Sequence, residues 1–176
     1  MNPFEIMRDN HRKDILMRLA AKKHKSRIMH LFDIRYMGII TLTPTEEEKI
    51  TLTQFINRMT ENGSKVKNIE MPPNMEQQLD KQGIPKTEFT KALTHNHFDL
   101  LINATPTDYF YGLYFTLAAS SSLRVAYQDT TQPTQNITLN TYDLIIRGNG
   151  PMVLSEYLLN LLNVLTNIRK TPTGTY

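Results

Sequence analysis

The sequence has neither cysteine nor tryptophan among its 176 residues. Without cysteine there is no disulfide framework, no thiolate metal site and no cysteine nucleophile. No segment reaches the roughly 18 consecutive apolar residues that a membrane-spanning helix needs. Residues 1–27 also lack the apolar stretch of a secretory signal. We therefore expect a soluble, cytoplasmic protein and not an integral membrane protein.

Glycine is scarce, with seven residues, and its spacing matches none of the nucleotide-binding loops. Neither Gly-x-Gly-x-x-Gly nor Gly-x-x-x-x-Gly-Lys-Ser/Thr follows a predicted strand, and no Gly-x-Ser-x-Gly nucleophile elbow occurs. We therefore expect no cofactor and identify no catalytic residue. The sequence favours a non-enzymatic protein without deciding the question.

Positive charge is concentrated at the start of the chain. Residues 1–35 hold nine Lys and Arg against four Asp and Glu, whereas the rest holds eleven against thirteen. We predict a basic N-terminal helix over residues 1–27. Its cations, within residues 8–27, could contact RNA or another anionic surface; the candidates are Arg12, Lys13, Arg18, Lys22, Lys23, Lys25 and Arg27. The alternative is a solvated helix packed on the sheet or on a second subunit.

Strand-like and helix-like segments alternate over residues 28–170. Strands are predicted at 36–42, in "SKVKNIEM", and at 98–104, 123–127 and 142–148, with helices between most of them. This alternation predicts a single α/β domain: a three-layer sandwich with a mostly parallel sheet of about five strands, Rossmann-like or flavodoxin-like. Residues 128–141 form a long polar loop, and we predict a disordered tail at 171–176.

The loops at the carboxyl edge of such a sheet are the expected place for a ligand. "TLTPT", "NATPTD" and "GNGP" combine hydroxyls, amides or glycine with a helix start, where free N–H groups attract anions. The candidate ligand-binding residues are Thr43, Thr45, Asn103, Thr105, Thr107 and Asn149. The alternative is helix capping, because Thr45 and Glu48 fit a capping box and Glu46 to Glu48 would repel a phosphate.

Two histidines, His95 and His97, resemble a metal-binding pair but lack the further ligands that a zinc site requires. We expect no metal. Asp99 and Asp143 stand at strand beginnings, where capping or pairing is their expected role. Asp108 is the carboxylate on the ligand side of the sheet, and one carboxylate without an acid, base or metal partner does not make a mechanism.

An aromatic cluster follows the third strand and is too dense for one buried helix face. A helix buries about three or four positions in seven, so we expect some of these residues to reach the surface or to meet a partner. The cluster comprises Tyr109, Phe110, Tyr111, Tyr114 and Phe115.

The chain resembles a family of short bacterial proteins known only as a domain of unknown function. The resemblance rests on "RYMGIITL", "NGSKVKNIEM", "FDLLINAT", "YFYGLYFTLAASSSLRVAY", "YDLIIRG" and "LLNLLNVL", and it covers nearly the whole chain. It implies an α/β fold and a bacterial cytoplasm. It brings no activity and no catalytic residues.

Two functions remain open from the sequence. The first is a non-enzymatic binding or interaction protein that uses the basic N-terminal helix and the aromatic helix to contact another protein, a second copy or RNA. The second is a small-molecule- or anion-binding α/β domain, with or without enzymatic activity, whose site lies at the carboxyl edge. A concave pocket between the loops at that edge would favour the second.

Overall fold

Five strands and five α-helices make up most of the chain in a computed structural model that describes residues 3–22, 24–133 and 140–168. The strands are β1 (Tyr36–Thr41), β2 (Lys65–Glu70), β3 (His97–Ala104), β4 (Ser120–Asp129) and β5 (Leu144–Gly148). The helices are α1 (Pro3–Ala20), α2 (Glu46–Glu61), α3 (Thr87–Thr94), α4 (Phe110–Ala118) and α5 (Leu154–Asn167). Short 3-10 turns lie at Leu31–Asp33 and Met75–Gln78.

The five strands form one sheet in the order β2-β1-β3-β4-β5, and every neighbouring pair is parallel. This is the strand order of flavodoxin-like doubly wound sheets, in which the order reverses between β1 and β3. The predicted α/β sandwich with about five strands is confirmed.

Helices cover both faces of the sheet. Leucines of α5 and apolar residues of α2 pack on one face against Met37, Ile39, Leu100 and Ile102. On the other face, α3 and α4 pack against Ile40, Phe98 and Leu101. The near-continuous apolar run of β3 follows from this arrangement, because alternate side chains enter different cores and both cores exclude water.

Helix α1 packs on the same face as α4. Leu16 lies in a small core with Leu113 and Leu117 of α4 and Tyr142 near β5, while Leu19 packs against its edge. Most of the remaining described side chains of α1 are exposed, and the apolar Met7 is 68% exposed. The helix is therefore held by one narrow stripe.

Two predicted boundaries are wrong. The basic helix ends at Ala20 and not at residue 27, because the Arg27 N–H donates to the Ser122 carbonyl (2.9 Å) and His24 contacts Asp143 (2.9 Å). An extended segment reaches both of these partners. In addition, β4 begins at Ser120 and not at residue 123, because Ser120 and Ser121 pair with the first residues of β3.

No helix in the described part of the chain is long and apolar enough to cross a membrane. The predicted disordered tail, 171–176, lies outside the described residues, as do residues 134–139 of the predicted loop.

Candidate functional site

A pocket of about 720 Å³ opens at the carboxyl edge of the sheet. It receives residues from the segments that follow β1, β3, β4 and β5, and the paired strand ends Thr41 and Ala104 both line it. Its walls are Thr41, Leu42, Thr43, Pro44, Glu48, Ala104, Thr105, Pro106, Thr107, Asp108, Tyr127, Asp129, Gln132, Pro133, Pro151, Met152 and Leu154. The pocket therefore lies where the strand order reverses, the usual ligand position in open parallel sheets.

The loop after β1 contributes one wall and a capped helix. Thr43 lines the pocket, and its hydroxyl donates to the Met71 carbonyl at 3.4 Å. The Thr45 hydroxyl accepts from the Glu48 N–H (3.2 Å), and the Glu48 carboxylate accepts from the Thr45 N–H (2.8 Å). The predicted capping box is thus confirmed. Thr45 is not among the lining residues, because its side chain is engaged at the helix start.

Asn103, at the end of β3, lies beneath the pocket and not in it. The residue is fully buried, and its side-chain oxygen accepts from both the N–H (3.0 Å) and the hydroxyl (2.8 Å) of Thr105. Its amide donates to the Tyr142 hydroxyl, and its carbonyl accepts from the Tyr157 hydroxyl at 3.3 Å. Asn103 therefore holds the loop in place, while Thr105 and Thr107 line the pocket.

The loops after β4 and β5 are joined by hydrogen bonds. The Tyr127 hydroxyl donates to the Gly150 carbonyl (2.8 Å), and the Gly150 N–H donates to Asp129 (3.0 Å). Gly150 has a φ of +124°, a backbone conformation that side chains disfavour. Asn149 is exposed, does not line the pocket and accepts from the Thr130 hydroxyl at 2.7 Å. The loop network thus holds this wall in one arrangement.

Among the described residues, three carboxylates line the pocket, those of Glu48, Asp108 and Asp129, and no lysine, arginine or histidine does. Hydrogen bonds from the Thr131 hydroxyl and N–H lower the pKa of Asp129 below its ordinary value, so its carboxylate stays charged at neutral pH. The predicted anion site is therefore not favoured, because an anion would meet negative charge on several sides.

The two histidines His95 and His97 contact different partners. His95 contacts the Lys91 carbonyl at 2.9 Å, while His97 contacts the hydroxyls of Ser120 (2.8 Å) and Ser122 (2.9 Å). Among the described residues, no group of three or more His, Asp or Glu side chains could hold a metal ion.

The two strand-start aspartates bind backbone groups of the neighbouring strand. Asp99 accepts from the N–H groups of Arg35 and Tyr36, both at 2.9 Å, and Asp143 accepts from the Arg124 N–H at 2.7 Å. The matching "FDL" and "YDL" segments thus repeat one structural role. The predicted capping or pairing of both aspartates is confirmed.

The cationic candidates separate into two groups. Arg12 packs over the rings of Phe110 and Tyr111 and donates to the Tyr111 hydroxyl at 3.0 Å. Five others are exposed and form no ion pair with another described residue; they are Lys13, Arg18, Lys22, Lys25 and Arg27. Lys23 lies outside the described residues.

The aromatic helix offers little of its aromatic surface to a partner. Tyr111 and Phe115 are buried, and the other three aromatic residues of the cluster are half-buried beneath α1 and the segment near Met75. The packed rings lie edge to face or tilted, with centroids 5.1 to 6.1 Å apart. The cluster therefore fills the core of this face, which the helical periodicity alone did not indicate.

Some residues of the pocket were missed from the sequence, above all Tyr127, Asp129 and Met152. The predicted fourth strand ended at Tyr127 and the residues beyond it were assigned to a polar loop. Their position after predicted strands could have identified these residues, because the residues that follow each strand of a parallel sheet reach the same edge.

Tyr142, whose buried hydroxyl accepts from the Asn103 amide, is expected to make the stability of the protein depend on pH. Burial raises its pKa from 10 to about 12, against the opposing hydrogen bond from Asn103. Below pH 10 both folded and unfolded chains keep the proton; above it the unfolded chain loses the proton first. Stability contributed by this group should therefore fall by about 2–3 kcal/mol as the pH rises from 10 to 12.

Urea unfolding of the protein and of Tyr142→Phe between about pH 9 and 11 tests this. The unmodified protein should lose more stability over this range than the variant, by roughly 1 kcal/mol. The comparison cancels the contribution of Tyr157, whose pKa burial also raises. Equal slopes would show that Tyr142 ionises as readily in the folded protein as in the unfolded chain.

Fold and pocket together define a doubly wound α/β protein with an open cavity at the switch point of its sheet. Within that class, the chain belongs to a family of unknown function (DUF6913), whose model matches residues 8–165. The predicted membership of a family of unknown function is thereby confirmed. Neither a curated protein nor a solved structure matches the chain.

Proposed function

We propose that the protein binds a small organic molecule in the carboxyl-edge pocket, in the bacterial cytoplasm that the family resemblance implies. The observation that carries this proposal is the cavity of about 720 Å³ at the β1/β3 reversal. Ligand pockets in proteins generally span about 300–1,000 Å³ and are mostly apolar, with a few placed polar groups. The size, position and lining of this cavity all agree with that description.

The rigidity of the walls supports binding of a specific ligand. Four prolines line the pocket and restrict the backbone of its loops; they are Pro44, Pro106, Pro133 and Pro151. Thr107 donates to the Tyr127 carbonyl, which joins the loop after β3 to β4. A preformed pocket loses less conformational freedom on binding than one that must be ordered. We assign binding, and no reaction, to these residues.

Filling the pocket should abolish binding without unfolding the protein. Thr43 is exposed at the rim, and its hydrogen bond to the Met71 carbonyl, at 3.4 Å, is long. In Thr43→Trp the indole competes with a ligand for the cavity. We expect fragment-sized compounds that bind the unmodified protein in ligand-observed NMR spectroscopy to bind Thr43→Trp at least about tenfold more weakly. A tenfold loss corresponds to about 1.4 kcal/mol of binding free energy.

Thr53→Trp is the matched control, because Thr53 is an exposed threonine on α2 that does not line the pocket. Both variants should melt within a few degrees of the unmodified protein, since surface substitutions rarely change stability by more than about 0.5 kcal/mol. Compounds that bind all three proteins equally well would place the binding site elsewhere and overturn the proposal.

The exposed cations near the end of α1 support a second candidate function, binding of a polyanion such as RNA. Lys13, Arg18, Lys22, Lys25 and Arg27 are exposed and lie on α1 or on the segment that follows it. Phosphate contacts of this kind weaken steeply with salt. Binding to mixed RNA at two salt concentrations, by the full chain and by a variant with these five residues changed to alanine, separates this candidate from the first.

A further inference from the structure

The described charged side chains that line the pocket are all negative, and this determines which ligands it can bind. The inference rests on the proposed function. Its three carboxylates come from three different junctions: Glu48 from α2, Asp108 from the loop after β3, and Asp129 from the end of β4. They therefore act on the cavity from different sides. Low-dielectric walls concentrate such a field within a cleft.

Part of this charge is fixed by the surrounding hydrogen bonds. Asp129 accepts from the Thr131 hydroxyl at 2.6 Å and the Thr131 N–H at 2.8 Å, as well as from Gly150. Glu48 accepts from the Thr45 N–H. Charge-assisted hydrogen bonds hold each carboxylate in one orientation, and those to Asp129 also favour its ionised form. The negative potential is therefore a lasting feature of the pocket at neutral pH.

Helix dipoles act in the opposite sense but are weaker. The first residues of α4 and α5 have no side-chain cap, and Leu154, the first residue of α5, lines the pocket. Each helix start carries the equivalent of about half a positive charge. The two helix starts together supply roughly one positive charge against three carboxylates. The net charge around the pocket therefore remains negative, even though the dipole of α2 compensates part of the charge of Glu48.

The rest of the lining is mainly apolar. Leu42, Ala104, Met152 and Leu154 contribute aliphatic or thioether groups, and the ring of Tyr127 adds an aromatic surface that can also attract a cation. From this combination we propose that the pocket selects an organic cation: a protonated amine carried on an apolar body of fragment size. The amine meets the carboxylates and the apolar body contacts the remaining walls.

Matched probes of three charges test this selection on the full chain. The panel consists of 3-phenylpropylamine, 3-phenylpropanol and 3-phenylpropanoate, together with the same three head groups on hexyl and cyclohexylmethyl bodies. Affinities are measured by ligand-observed NMR spectroscopy at neutral pH and low salt. On each body that binds, we expect the amine to bind tightest and the carboxylate to bind at least about tenfold more weakly than the amine.

Charge-removing variants assign the selectivity to the pocket. Asp108→Asn and Glu48→Gln should each weaken amine binding by roughly fivefold and leave the alcohol within about twofold. Asp14→Asn is the matched control, since it removes the same charge from an exposed position on α1 that does not line the pocket. We expect it to leave the amine affinity unchanged.

The outcomes distinguish this inference from the proposed function. If the alcohol or the carboxylate binds tightest and Thr43→Trp abolishes that binding, the pocket binds small molecules but the selection of a cation is overturned. If no member of the panel binds the unmodified protein, both the proposed function and the selection of a cation are overturned. If Asp14→Asn weakens the amine as much as Asp108→Asn does, the effect comes from net charge and not from the pocket.

Discussion

Asn103→Ala should destabilise the protein by about 3 kcal/mol, the larger of the two strongest effects that we expect. The substitution leaves the buried hydroxyl of Tyr142 without its amide donor, removes the acceptor of the Thr105 N–H, and leaves the Thr105 hydroxyl only its longer bond to the Pro106 carbonyl at 3.3 Å. Each buried polar group that loses its partner costs about 1–3 kcal/mol. Neither Tyr142 nor Thr105 is more than 7% exposed, so water does not readily replace the missing amide.

Urea unfolding followed by circular dichroism measures this loss as a lower midpoint at an unchanged slope. Asn68→Ala is the matched control, because Asn68 lies on β2, is exposed and accepts one side-chain hydrogen bond, from Thr41. The control should cost about 1 kcal/mol or less. If the two variants proved equally stable, the hydrogen bonds of Asn103 would contribute no more than an exposed contact.

Gly112→Ala should destabilise the protein by about 2 kcal/mol, although alanine is the better helix former. A Cβ atom at position 112 would stand 2.1 Å from the Thr105 hydroxyl oxygen and 3.2 Å from the Asn103 amide nitrogen. Elsewhere in a helix interior the same change gains up to about 1 kcal/mol. Here the close approach of α4 to the loop after β3 outweighs that gain, and the loop that moves is a wall of the pocket.

The double variant Thr105→Ala with Gly112→Ala isolates the steric cause, because it removes the oxygen that the new methyl group would meet. In the Thr105→Ala background we expect Gly112→Ala to lower the free energy of unfolding by less than about 1 kcal/mol. In the Thr105→Ser background, which keeps the oxygen, we expect the full loss of about 2 kcal/mol. Thermal unfolding of the single and double variants completes the cycle. If the losses of stability of the two single variants simply added in the double variant, the destabilisation by Gly112→Ala would not arise from contact with Thr105.

Elements whose signals are local were predicted well. The period of the apolar residues and the capping box at Thr45 determine α2, and the apolar run before Thr105 determines β3. The candidate site was also partly predictable, because a parallel sheet brings the loops after its strands to one edge. Thr43, Thr105 and Thr107 were placed in it on that ground.

Predictions failed where a distant partner decides the structure. The helix ends at Ala20 because residues 24–27 bind Asp143 and Ser122, which are far away in the sequence. Asn103, which carries an amide, and Thr107, which carries a hydroxyl, were both chosen as ligand-binding candidates because they belong to one loop motif, "NATPTD". One is buried beneath the pocket and the other lines it, a difference that depends on Tyr142 and Gly112.

The sequence by itself determined the alternation of strands and helices, the resulting three layers and the edge at which a ligand would lie, because these depend on periodicity and on the handedness of the connections. Only the tertiary structure decided the sign of the charge in the pocket. Glu48, Asp108 and Asp129 are separated along the chain and reach one cavity through the order of the strands. That order is set by packing between distant segments, which no local pattern records.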